Sequence, residues 1–112
     1  MLIVSPVILS ELDHVAGREL GRPAAVEAVD DLCRRIRAGR AELAPVTVTT
    51  VEQAQMVRAH YGALSLDLTD AVNVVLARDY DTDAILTLDR RAFRTITPLS
   101  PHKAFRLLPD DL

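Results

Sequence analysis

The run LDLTDAVNVVLARDYDTDAILTLDRRAF, Leu66 to Phe93, decides the fold. Asp67 and Asp70 open the segment Ala71-Val72-Asn73-Val74-Val75-Leu76-Ala77, which is apolar nearly all round at 100° per residue and predicts a helix buried on most sides. After an Asp-rich loop, Ala84-Ile85-Leu86-Thr87-Leu88 predicts a short strand, and Asp89 follows it directly. Alternating helix and strand predict an α/β fold with a parallel sheet, and sheets of that kind place ligands just beyond the carboxyl ends of their strands. Asp89 falls at such an end. Asp70, in the first turn of the preceding helix, could face the same crevice, and two carboxylates without a basic partner repel each other unless a cation lies between them. The plainer alternative is local: Asp67 as an N-cap, Asp70 at N3 completing a capping box, Asp89 as a turn residue.

Moving outward, Leu2-Ile3-Val4 predicts a strand, and Ser5-Pro6 supplies an N-cap and a proline at N1 for a first helix. On that helix Val7, Ile8, Leu12 and Val15 share one arc, and Glu11 falls inside it. A carboxylate aimed at a core is costly unless it is paired or bound to a cation, so Glu11 either finds an Arg or a backbone N–H at the rim or serves a metal. Pro23 predicts the start of a second helix with Val26, Val29, Leu32, Cys33 and Ile36 on its apolar face, ending near Gly39. Glu42 to Val48 reads as a short edge strand broken by Pro45. Thr49-Thr50-Val51-Glu52 matches a capping box and opens a third helix that Gly62 closes. Beyond Phe93, Arg94 to Thr97 alternates like a strand, and Phe105 to Leu108 predicts a last extended piece.

A chain of 112 residues, 49% hydrophobic, is expected to form one domain over 1–112 with a real core. No apolar run is long enough to span a membrane, and no basic segment precedes the N-terminal apolar stretch, so a cytoplasmic protein without a membrane partner is expected. Cys33, the single cysteine, is expected in the core, and His14, His60 and His102 show no metal-binding spacing. Any metal is then a hard, oxygen-liganded one such as Mg²⁺ or Mn²⁺. The net charge of −3 argues against a protein that coats nucleic acid, though not against a nuclease. Of the Arg clusters, Arg34 to Arg40 reads as a solvated helix end, whereas Arg90 and Arg91 adjoin Asp89 and could hold phosphates in bidentate fashion.

Three segments together resemble PIN-domain ribonucleases, above all the toxin halves of VapBC-type toxin-antitoxin modules: Ser5-Pro6-Val7-Ile8-Leu9-Ser10-Glu11-Leu12, the Leu-x-Leu-x-Asp-Ala of Leu66 to Ala71, and Thr87-Leu88-Asp89-Arg90-Arg91-Ala92-Phe93. The resemblance implies a three-layer fold in which helices flank a parallel sheet. It also implies hydrolysis of RNA by a carboxylate cluster that holds Mg²⁺ or Mn²⁺, with Glu11, Asp70 and Asp89 as catalytic and metal-binding residues. Asp67 remains a cap or an auxiliary acid. A cognate antitoxin protein comes with the resemblance as a partner, and a homodimer is one open alternative for the assembly.

The family pattern begins with an apolar strand that ends in Asp, lies in the middle of the sheet and is followed by Thr or Ser. Here nothing precedes Leu2 that fits it, and Asp81-Thr82 follows a helix. The expectation is therefore an N-terminally truncated PIN-like chain whose sheet has a gap that must close, be filled by another chain, or leave apolar surface exposed. The alternative function is a catalytically inactive remnant that keeps only an antitoxin-binding or self-association role.

Overall fold

The computed structural model describes residues 2–82, 84–86 and 106–108. In chain order these form β1 (Leu2–Val4), α1 (Pro6–Leu20), α2 (Arg22–Arg37), β2 (Ala41–Leu43), α3 (Val48–His60), a 3₁₀ turn (Gly62–Leu64), α4 (Leu68–Asp79), β3 (Ala84–Leu86) and β4 (Arg106–Leu108). The expected strand at Arg94 to Thr97 lies outside the described residues.

The strands make one sheet in the order β2-β1-β3-β4, with every pair parallel. β2 is thus the edge strand that Pro45 foretold, although it is shorter than the expected Glu42 to Val48 and ends ahead of the proline. β1 hydrogen-bonds directly to β3, with Ile3 opposite Ile85, so between these two strands the sheet is closed and has no opening for a further strand.

The pleat of β1 assigns the helices to two layers. Val4 packs with Ile8, Ala41, Leu2, Leu9 and Ile36, which come largely from α1 and α2, while Ile3 belongs to the cluster built from α3 and α4. Residues two apart on a strand share a face, so Leu2 and Val4 seat one helix pair and Ile3 the other. The result is the three-layer α/β arrangement implied by the resemblance.

α4 is the centre of the core. Every residue from Asp70 to Ala77 is buried, which bears out a helix apolar nearly all round. α1 begins as expected: Ser5 is extended and accepts a hydrogen bond from the Val7 N–H (3.1 Å), and Pro6 follows at N1.

Two helices depart from their expected details. α3 starts at Val48, because Thr47 and not Thr49 is its cap: the Thr47 hydroxyl accepts from the Thr50 N–H and the Thr50 hydroxyl accepts from the Thr47 N–H. A hydroxyl at N3 closes the box as a carboxylate does, so Glu52 is not needed and stays exposed. α2 keeps part of its expected face, with Leu32 buried and Ile36 packed against the core, and departs from it at Val26 and Cys33. Ala25 and Leu32 are buried, whereas Val26 is 52% exposed and Cys33 is exposed rather than in the core. The cause is close helix packing: Ala25 lies against α1 at Gly17, where a Cβ added to the glycine would stand 3.8 Å from the alanine Cβ. Small residues at the contact let α2 approach α1 along a stripe that hydrophobicity alone does not mark.

Candidate active site

α1 follows β1 after Ser5 alone, so its N-terminus stands at the carboxyl end of that strand. The connection from α4 to β3 is short and the two touch, which lays α4 back along β3 with its own N-terminus at the same end of the parallel sheet. The first turns of α1 and α4 therefore share the end at which parallel sheets carry their sites, and the two helices contact each other.

Glu11 sits in the second turn of α1, half-buried inside the apolar arc as expected. Its Oε2 is shut off from solvent and has no hydrogen-bond partner among the described residues. A carboxylate oxygen in that position has lost its water and gained no donor, a cost of roughly 1 to 3 kcal/mol or more for a charged group. The rim alternative, in which an Arg or a backbone N–H satisfies this oxygen, is not what the described residues provide. A cation fits the same vacancy of partners, since carboxylate oxygens are what hard divalent ions prefer.

Asp70 occupies N3 of α4 and is 5% exposed. Asp67, exposed, is the N-cap: it is extended, and its Oδ1 accepts the Asp70 N–H at 2.9 Å. The local reading of Asp67 as the N-cap is thus correct. Asp89, Arg90 and Arg91 lie outside the described residues. Among the described residues no three of His, Cys, Asp and Glu gather closely enough to hold a metal ion.

The first Arg cluster behaves as a solvated helix end. Arg34 and Arg35 pair with Asp31 at 3.6 and 3.0 Å on exposed surface, where such pairs contribute little. One polar group was hidden in the sequence by its neighbours. Asn73, 4% exposed, lies three residues after Asp70 and hence on the same side of α4. An amide within an otherwise apolar run, spaced i+3 from an acid, is the signal that marks it.

The PIN domain family model matches residues 1–97, and the chain belongs to the PIN-domain family. It is a VapC-like member: it is 36% identical over 108 residues to Ribonuclease VapC26 of Mycobacterium tuberculosis (strain ATCC 25618 / H37Rv), an alignment that covers 96% of this chain and 76% of that protein. No helix among the described residues is long and apolar enough to cross a membrane.

Proposed function

We propose that this chain, acting as one domain over 1–112, is a metal-dependent endoribonuclease of the toxin-antitoxin toxin type that hydrolyses RNA phosphodiester bonds. Its cytoplasmic partners are then an RNA substrate and a cognate antitoxin protein. The observation that carries the reading is the buried Oε2 of Glu11, without a hydrogen-bond partner among the described residues, at the end of the sheet where α4 also begins. Family membership and the VapC relative support it.

Glu11, Asp70 and Asp89 are the residues proposed to hold Mg²⁺ or Mn²⁺. When bound, such an ion supplies an acidified water as nucleophile and neutralises the charge on the leaving oxygen. The chain itself offers at Glu11 a carboxylate oxygen that is buried without a hydrogen-bond partner among the described residues, and an Asp70 whose helix start is capped by Asp67. Arg90 and Arg91 are proposed to hold the phosphates that flank the scissile bond. No serine or histidine nucleophile is required.

A second reading, a non-catalytic chain that keeps only an antitoxin-binding or self-association role, draws on the closed sheet. With β1 hydrogen-bonded directly to β3, those strands leave no place for a central acid-bearing strand. RNA cleavage by the purified chain separates the two. On the nuclease reading cleavage needs Mg²⁺ or Mn²⁺, stops in chelator, and is abolished by Asp89→Asn with the fold retained. Cleavage that persists in chelator means another mechanism, and no cleavage with intact folding selects the binding role.

A further inference from the structure

The segment that leads into the α4 start, ahead of Asp70, is tied to another helix. Arg58, near the end of α3, donates from Nε to the carbonyl of Leu66 at 3.0 Å, and its guanidinium is held in turn by Gln55, whose Oε1 accepts from Nη1 at 2.9 Å. Leu66 stands one residue ahead of the α4 cap, so its carbonyl lies outside the helical ladder and takes this side-chain donor instead. The Leu66 side chain is itself buried in the α3/α4 cluster. This residue is therefore pinned at both its side chain and its carbonyl.

The turn before it is also constrained. Ser65 is in the left-handed region with φ 50°, a conformation that non-glycine residues hold only where surrounding contacts enforce it. Leu64 and Ser65 close the 3₁₀ turn by donating to the Tyr61 and Gly62 carbonyls at 2.9 and 3.2 Å. From the pinned Leu66 the chain passes to Asp67, which accepts the Asp70 N–H and whose carbonyl accepts the Ala71 N–H at 3.1 Å. Each link fixes the next, from α3 to the first turn of α4.

We propose that Arg58 is a positioning residue for the carboxylate site: through the Leu66 carbonyl it sets the rotation of the α4 start and so the direction of Asp70. The inference rests on the reading of Asp70 as a metal ligand. A second tie between the same helices provides the control. Arg78 donates to Gln53 of α3 and also pairs with Asp79 at 2.8 Å, at the far end of α4 and about 12 Å along the helix from Asp70.

The experiment measures Mn²⁺ binding by calorimetry on the full chain, at a temperature where each variant is shown to be folded, for wild type, Arg58→Met, Arg58→Lys, Arg78→Met and Asp70→Asn. Loss of a group hydrogen-bonded directly to a ligand weakens metal binding by about 10- to 100-fold; Arg58 acts through the backbone, so Arg58→Met is expected at the low end, about tenfold, with Arg58→Lys regaining part of it and Arg78→Met binding as wild type does. Equal weakening by Arg58→Met and Arg78→Met means that general loosening of the helix pair is responsible, and this overturns the proposal. Wild-type affinity in Arg58→Met overturns it too, while leaving the reading of Asp70 intact. If Asp70→Asn binds as wild type does, the reading of Asp70 fails and the inference falls with it.

Discussion

On paper α4 is apolar nearly all round and α2 is amphipathic, and the two obey the sequence to different degrees. α4 is enclosed from Asp70 to Ala77, so any rotation about its axis still buries apolar side chains. α2 packs on α1 and on β2, and its fully buried residues form only a narrow stripe, Ala25 and Leu32. The lesson is that a helix buried on most sides can be read from its own composition. A surface helix needs to know its neighbour, because an alanine at a close contact outweighs a valine that faces water.

Substitutions sharpen this contrast. Leu76→Ala in α4, at a site only 3% exposed, is expected to lower the free energy of unfolding by about 2 to 5 kcal/mol in a denaturant titration. A loss under about 1 kcal/mol would mean that α4 is not the centre of the core. Asp67→Ala removes the cap hydrogen bond to the Asp70 N–H and is expected to cost about 1 kcal/mol, measured in chelator so that any metal contribution is absent. No loss there would show the α4 start to be held by other contacts. Val26→Ser and Cys33→Ser in α2 are expected to stay within about 0.5 kcal/mol of the parent. The Cys33 thiol of the folded protein should also react at once with a disulfide reagent. A protected thiol, or a large loss from either change, would restore the face that hydrophobicity alone assigns to α2.

The frame of the fold was legible because its signals are local. Ser5-Pro6 states a helix start, Leu2 to Val4 and Ala84 to Leu86 are apolar runs of strand length, and Pro45 ends the edge strand. The cap of α3 was not, since Thr47 and Thr49 are equally good hydroxyl caps and only the reciprocal bond with Thr50 chooses between them. In the candidate site, Glu11 was visible as an acid inside an apolar arc, and the structure adds that its Oε2 is buried without a partner among the described residues. Arg58 could not be seen: its role is to reach a backbone carbonyl eight residues on, and a carbonyl leaves no mark in a sequence.

The central claim is that Glu11 and Asp70 serve one cation together with Asp89, and a crystal of the protein soaked in Mn²⁺ and recorded at the manganese edge tests it most directly. A single anomalous peak is expected, with Glu11 Oε2 at about 2 Å and the Asp70 and Asp89 carboxylates around the same ion. A peak bound elsewhere on the chain, or Glu11 Oε2 satisfied by an arginine or a backbone N–H with no metal near it, would contradict the account.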